Sequence, residues 1–170
     1  MLLLGVSKIK KEFINPFIEG AAQIFPQVVP GIEFNRTGLA LAKQGTISPE
    51  LMTVIVLGVL GNVRGRVIYI LEHKLALGIA NTMCGTTEEP SEELSALARS
   101  ALSEMTNMVT GRAISILASN GYKVDFSPPT LFVGRDVMIP ELDIQAIAIP
   151  FQTQLGSLEL NVALKEVPEK

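Results

Sequence analysis

The pattern of apolar and polar positions predicts one long helix in the middle of the chain. Between about Ser91 and Ser119, apolar residues recur every three or four positions, which is the spacing of a helix with one buried face. The predicted apolar face consists of Leu94, Leu97, Ala98, Ala101, Leu102, Met105, Met108, Val109, Ala113, Ile116 and Leu117. Asn120-Gly121 is a favourable C-terminal stop, so the helix is expected to end there.

Four polar or small residues follow one line of this helix, away from the apolar face: Ser100, Glu104, Asn107 and Gly111. At about 100° per residue they span a stripe roughly 60° wide. The carboxylate of Glu104 and the carboxamide of Asn107 are three positions apart, so they project side by side. Glycine costs about 1 kcal/mol relative to alanine inside a helix. Gly111 therefore indicates either a close approach by another molecule or close internal packing.

The remaining segments predict two further helices and several strands. One helix is expected from Asn15, acting as the N-cap with Pro16 in the first turn, to about Ile24. Another is expected from about Glu72 to Met83. The residues around Gly61-Asn62 are rich in β-branched side chains and predict a hairpin with a two-residue turn. Strands are expected at residues 31–34, 38–42, 54–60, 63–70, 122–126, 131–133, 144–151 and 155–164.

The order of these elements predicts an α/β (α+β) fold, in which helices cover a mainly antiparallel sheet of about six strands. Each half of the chain is predicted to contain a helix, an irregular strand and a hairpin, in that order. A shift of 91 residues places Gly20 on Gly111 and Gly65 on Gly156, which indicates a weak internal duplication. The length of 170 residues predicts a single domain over residues 1–170, with residues 1–14 as an N-terminal extension and 166–170 as a polar tail.

Composition argues against several classes of function. The net charge is −3 and the basic residues are scattered, which does not fit a nucleic-acid-binding protein. The longest apolar run, at residues 54–60, is far shorter than the roughly 20 residues that span a bilayer, and no signal peptide is visible. We therefore expect a cytoplasmic protein without membrane insertion. The single cysteine, Cys84, fits a reducing compartment.

The sequence offers little for metal or triad chemistry. The only histidine, His73, has no partner at metal-ligand spacing and is predicted to be a solvated surface residue. No Gly-x-Ser-x-Gly motif supports a serine hydrolase. The acidic group of Glu88, Glu89, Glu92 and Glu93 is predicted to place favourable charge at the start of the central helix.

The line of Ser100, Glu104, Asn107 and Gly111 resembles the signature of the CheC, CheX and FliY phosphatases, which dephosphorylate the chemotaxis response regulator CheY. Three further segments resemble CheX in the same order. They are Asn15-Pro-Phe-Ile-Glu-Gly-Ala-Ala, Gly61-Asn-Val-Arg-Gly-Arg-Val and Ser127-Pro-Pro-Thr-Leu-Phe-Val-Gly. Together these segments span nearly the whole chain, so the resemblance is best to the CheX branch, and it implies a CheC-like fold.

The resemblance implies an aspartyl-phosphate phosphatase acting on a phosphorylated CheY-like response regulator. The receiver would supply the phospho-aspartate, the Mg²⁺ ion and a lysine, so this chain would bind no metal or cofactor itself. Glu104 would pair with the lysine and dock the helix. Asn107 would orient the attacking water, as a positioning glutamine does in GTPases. Ser100, Ser103 and Gly111 would contact the partner.

Other interpretations stay open at this point. A chain of the same fold could be a non-catalytic receiver-binding adaptor, a flagellar-switch component or a dimerisation domain, because relatives of CheX dimerise. The first half also contains Glu12-x-x-Asn15, which invites a second site. That pair is shifted by 92 residues rather than 91 from Glu104 and Asn107, and Asn15 is predicted to be an N-cap. We therefore expect one functional site.

Overall fold

The computed structural model of the protein describes residues 10–43 and 45–168, with Thr46 described by its backbone only. The elements in chain order are α1 (Lys11–Val28), β1 (Asn35–Arg36), β2 (Ala40–Leu41), β3 (Gly45–Thr46), β4 (Met52–Gly61), β5 (Val63–Glu72), α2 (His73–Cys84), α3 (Ala96–Ser119), β6 (Val124–Phe126), β7 (Thr130–Gly134), β8 (Met138–Ile139), β9 (Ile147–Thr153) and β10 (Gly156–Glu166).

The main sheet is antiparallel, as the sequence predicts. Its strand order is β1-β9-β10-β5-β4-β6, with β2 also pairing with β9 and β7 with β4. Strands β3 and β8 form a separate two-stranded ribbon. Sequence reasoning missed this ribbon because strands of two residues show no alternation of apolar and polar positions.

The internal duplication is visible in the sheet. The hairpin of β4 and β5 and the hairpin of β9 and β10 meet along β5 and β10, and a helix precedes each hairpin, α1 in the first half and α3 in the second. Tyr69 of β5 lies opposite Leu160 of β10, 91 residues later in the chain. The two hairpins therefore occupy equivalent places on either side of the β5–β10 pairing.

The connection between β4 and β5 is not the predicted two-residue turn. Pairing between these two strands ends at Val59 and Gly65, because residues 60–61 pair with β6 and residues 63–64 with β10 instead. Gly61 instead pairs with Val124 of β6. A Cβ on Gly61 would lie 2.0 Å from the carbonyl oxygen of Lys123, so this glycine is required for the close approach of β6.

The helices cover one face of the sheet and enclose the larger core. Ile55, Leu57, Val67 and Tyr69 from the central strands are fully or almost fully buried there. Helix α3 packs between α1 and α2 in this layer, because both contact it. A smaller cluster on the opposite face of the sheet joins Met52, Val54, Ile68 and Ile70 to Val137 and Ile139 beside the β3–β8 ribbon.

Helix α1 begins five residues before its predicted start, so the prediction that Asn15 is an N-cap was wrong. The N-cap position is Lys10, and Pro16 lies inside the helix. Phe13 and Ile14 are buried, and the ring of Phe13 packs edge-on against Tyr122 with centroids 5.4 Å apart. This burial explains the earlier start, because tertiary packing of an apolar face stabilises a helix more than a cap does.

The two predicted tails also differ from the structure. Residues 11–14 of the predicted N-terminal extension form the first turn of α1, and β10 reaches Glu166 at the start of the predicted polar tail. Residues 1–9 and 169–170 lie outside the described part of the chain. Helix α2 agrees with its prediction and ends at Gly85, which adopts a left-handed conformation (φ 64°).

The buried position of His73 contradicts the prediction that it is a surface residue. Only 6% of His73 is exposed. Its Nε2 lies 2.6 Å from the carbonyl oxygen of Ser91, and its Nδ1 lies 2.9 Å from Thr53 Oγ1. Because a carbonyl only accepts, Nε2 is the donor to Ser91, while Nδ1 and the Thr53 hydroxyl share the second hydrogen bond. His73 thus ties the segment that precedes α3 to strand β4.

Candidate functional site

Helix α3 starts at Ala96 rather than near Ser91. Ser95 is the N-cap, and its side chain accepts a hydrogen bond of 3.1 Å from the backbone N–H of Ala98. The acidic group predicted to lie at the start of the helix precedes its first turn, which contains no acidic residue. Glu88 instead accepts a hydrogen bond of 2.7 Å from the Ser95 hydroxyl, and Glu92 pairs with Arg135. These contacts anchor the beginning of α3.

The buried face of α3 differs from the predicted apolar stripe. Leu97 is exposed, and Met108 and Ile116 are half-buried. Two threonines, Thr106 and Thr110, are fully buried. The full buried set is Ala98, Ala101, Leu102, Met105, Thr106, Val109, Thr110, Ala113, Ile114 and Leu117.

One of the two buried threonines, Thr110, joins α3 to the sheet, and the other, Thr106, bonds within the helix. The hydroxyls of Thr110 and Tyr69 lie 2.9 Å apart, and the Thr106 hydroxyl donates to the carbonyl of Ser103 at 2.9 Å. Burial raises the pKa of the Tyr69 hydroxyl, which is therefore protonated and able to act as a donor. Sequence reasoning missed Thr110 because only its contact with Tyr69 on a distant strand distinguishes it from a surface residue.

The structure places the predicted site residues on the outer face of α3. Ser100 and Glu104 are exposed, while Ser103, Asn107 and Gly111 are half-buried. Within residues 10–43 and 45–168, neither Glu104 nor Asn107 makes a side-chain hydrogen bond or ion pair. Both polar groups are thus held on a fixed helix and are free to contact another molecule.

Among the charged side chains of α3, Glu104 is the one that makes no hydrogen bond or ion pair within residues 10–43 and 45–168. Arg112 donates to Gln23 Oε1 at 2.6 Å and lies 3.6 Å from Glu19, both on α1. Arg99 donates to the carbonyl of Leu131 at 3.3 Å. A cation from a partner would therefore find an unpaired carboxylate on this face.

Gly111 lies against an aromatic ring that the sequence did not associate with the site. A Cβ on Gly111 would lie 3.6 Å from Cζ and 3.8 Å from Cε1 of Phe126 on β6. These are ordinary van der Waals distances, so there is room for one methyl group but not for a long side chain. Internal packing thus accounts for part of the preference for a small residue here.

The second pair, Glu12 and Asn15, also lies on a helix, with Asn15 exposed. Its carboxylate is engaged, unlike that of Glu104. Glu12 accepts a hydrogen bond of 2.9 Å from the Tyr122 hydroxyl and lies 3.5 Å from Lys10 Nζ. This hydrogen bond raises the pKa of the Tyr122 hydroxyl. Glu12 is therefore less able than Glu104 to bind a partner's cation.

Neither a metal-binding cluster nor a membrane-spanning helix is visible within the described residues. No group of three or more His, Cys, Asp or Glu side chains in this part of the chain is arranged to hold a metal ion. No helix within residues 10–43 and 45–168 is both long enough and apolar enough to cross a membrane.

Comparison with known proteins assigns the chain to a family. The model of the family described as chemotaxis phosphatase CheX matches residues 53–152. The CheY-P phosphatase CheX of Thermotoga maritima is 36% identical over 98 residues, which are 58% of this chain and 61% of that protein. The match thus spans less than two thirds of the length of this curated relative.

Solved structures share the fold over almost the whole chain. A CheC-like superfamily protein from Shewanella sp. PV-4 is 26% identical with a TM-score of 0.79, covering 92% of this chain and 99% of that one. The CheX–CheY–BeF3–Mg complex from Borrelia burgdorferi has a similar chain at 21% identity, with a TM-score of 0.78 and coverage of 91% and 98%. Because the family model covers more than half of its residues, this chain belongs to the CheX family of chemotaxis phosphatases.

Proposed function

We propose that the protein is a phosphatase that hydrolyses the phospho-aspartate of a CheY-like response regulator. The observation that carries the proposal is the pair of unpartnered side chains, Glu104 and Asn107, on the outer face of a firmly held helix in a CheX-family chain. The names of two similar proteins point to the same substrate class, since one is a CheY-P phosphatase and another is crystallised with CheY.

In the proposed mechanism, Asn107 enters the receiver's active site. Its carboxamide accepts a hydrogen bond from a water molecule and holds the water in line with the phosphorus–oxygen bond to aspartate. Attack by this water breaks that bond and gives free aspartate and inorganic phosphate. The receiver binds the Mg²⁺ ion, which offsets the charge of the phosphoryl group. This chain contributes position rather than a base, because an amide does not titrate.

Glu104 has the docking role in this proposal. Its exposed carboxylate would pair with the receiver's lysine, one helical turn from the asparagine. The rigid anchoring of α3 through Thr110 and Tyr69 favours this role, since a positioning group must be held within a fraction of an ångström. The same proposal includes contacts with the receiver from Ser100, Ser103 and Gly111. It also includes a single domain over residues 1–170, a cytoplasmic location and a homodimer.

The test is phosphate release from a phosphorylated receiver, with the CheY of Borrelia burgdorferi as the first probe. Asn107→Ala should slow turnover about a hundredfold while binding is kept, because only the positioning of the water is lost. The matched control is Asn15→Ala, which removes an exposed asparagine that also follows a glutamate by three residues on a helix. It should leave turnover unchanged.

Each other outcome has a definite meaning. Equal loss in both variants would indicate two working sites. Full turnover by Asn107→Ala would contradict the mechanism. Binding of the phosphorylated receiver without any acceleration by the natural sequence would instead identify a receiver-binding adaptor.

A further inference from the structure

Leu97 occupies a position that the buried face of α3 does not explain. It lies in the first turn of the helix, seven residues before Glu104. Seven residues turn the helix by about 700°, which is within about 20° of two full turns, and advance it by about 10 Å. Leu97 therefore lies on the same outward line as Glu104.

The exposure of Leu97 is unusual within this protein. It is 53% exposed, and in residues 10–43 and 45–168 it is the only exposed large hydrophobic side chain on a helix. It belongs to neither hydrophobic cluster, whereas Ala98, Ala101 and Leu102 beside it are buried. Single exposed leucines are common on protein surfaces. Leu97 differs from such residues because it lies on the same line of the helix as Glu104.

The size of protein interfaces places Leu97 within reach of the receiver. A standard interface buries about 800 Å² on each partner, which corresponds to a roughly circular patch of about 16 Å radius. A patch centred between Glu104 and Asn107 would therefore include a residue about 10 Å along the same helix. The side chain between Leu97 and Glu104 on this line is that of Ser100, which is exposed and too small to keep a partner away.

We infer that Leu97 is an apolar anchor for the phosphorylated receiver domain. This inference rests on the proposed function and extends it from chemistry to recognition. Glu104 supplies charge complementarity to the receiver's lysine, and Leu97 packs against an apolar patch about 10 Å away on the same receiver. Buried leucine contacts add affinity through the removal of apolar surface from water, whereas the charge pair mainly sets orientation.

The experiment compares Leu97→Ser with a matched control, Leu41→Ser. Leu41 is 62% exposed on β2, which pairs with β9 at the edge of the sheet. The probe is the CheY of Borrelia burgdorferi, held in its phosphorylated form with beryllofluoride and Mg²⁺ for binding and phosphorylated for turnover. Leu97→Ser should raise both Kd and KM about tenfold and change kcat less than twofold. Leu41→Ser should change none of these, and Leu97→Met should restore most of the affinity.

The outcomes separate this inference from the proposed function. Normal turnover by the natural sequence together with an unchanged Kd for Leu97→Ser would overturn the inference alone. The same loss in Leu41→Ser would also overturn it, because the effect would not be specific to this helix. Failure of the natural sequence both to bind and to dephosphorylate the receiver would overturn the proposed function and this inference together. Thermal melts of the variants, expected to match the natural sequence, show that they are folded.

Discussion

Gly20 of α1 lies directly against the backbone of Val109 on α3. A Cβ on Gly20 would lie only 2.9 Å from the Val109 carbonyl oxygen and 3.5 Å from the Ala113 nitrogen. The two helices that begin the two halves of the chain therefore cross at a point where only glycine fits. This contact sets the distance of α1 from the helix that bears Glu104 and Asn107.

The first prediction is that Gly20→Ala destabilises the protein although alanine is the better helix former. The added methyl group meets backbone atoms that cannot rotate away, so the helices must separate. We expect the free energy of unfolding to fall by about 1–3 kcal/mol, which is typical of overpacking. A thermal or urea melt measures this, and equal or higher stability would show that α1 and α3 are not packed this closely.

The second prediction is that alanine at the equivalent glycine, Gly111, raises the free energy of unfolding instead of lowering it. One methyl group fits beneath Phe126, so Gly111→Ala should raise the free energy of unfolding by up to about 1 kcal/mol through helix propensity. Gly111→Leu should lower it by about 1–3 kcal/mol, because the longer side chain must displace the ring. The same melts test both variants. A fall in stability with alanine would mean that Phe126 packs more tightly on α3 than described.

The third prediction concerns the charge of Glu104. Glu104→Gln should weaken receiver binding and reduce its dependence on salt, because an exposed ion pair with the receiver's lysine is screened by added ions. Glu104→Lys should weaken binding further. Stability should stay within about 0.5 kcal/mol for both, since the side chain is exposed and makes no hydrogen bond or ion pair in the described chain. Binding measured at two salt concentrations checks this, with Glu141→Gln as the exposed control.

The fourth prediction is a pH dependence that arises on the opposite face of the sheet. Burial raises the pKa of the Glu159 carboxyl above its ordinary value of 4.5, although the hydrogen bond from Asn161 and the charge of Lys43 act against this shift. The pKa of Glu159 is higher in the folded than in the unfolded state. Its contribution to the free energy of unfolding is therefore fully present below pH 4.5 and is lost as the pH rises through the folded-state pKa.

Glu159→Gln should therefore raise the melting temperature at pH 7, where the natural carboxylate is charged and partly desolvated. The difference should disappear as the pH falls below 4.5, the ordinary value, because the natural side chain is then neutral in both states. Exposed Glu33 provides the control, and Glu33→Gln should give no such pH-dependent difference in melting temperature. A melting-temperature difference for Glu159→Gln that grows on acidification would contradict the sign worked out here.

Local pattern alone was enough to place the candidate residues side by side. Glu104 and Asn107 share a face because helical geometry depends only on positions along the chain, and α3 is a long, uninterrupted helix. The two long hairpins, helix α2 and the antiparallel sheet were predictable for the same reason, since alternation and turn residues act over a few positions. The 91-residue period also came from the sequence, and the two hairpins that it relates lie on either side of the β5–β10 pairing.

Tertiary contacts decided the properties that the pattern predicted wrongly. His73 is buried because Ser91 and Thr53 approach it from distant positions. Asn15 lies within α1 because burial of Phe13 extends the helix past the expected cap. The spacing of Leu97 predicts a core residue, but its side chain is exposed. Thr110 lies outside the predicted apolar stripe, but it is buried and shares a hydrogen bond with Tyr69. A helix's sequence determines which residues share a face, but which faces are covered depends on elements remote in the chain, and only the assembled fold brings those elements together.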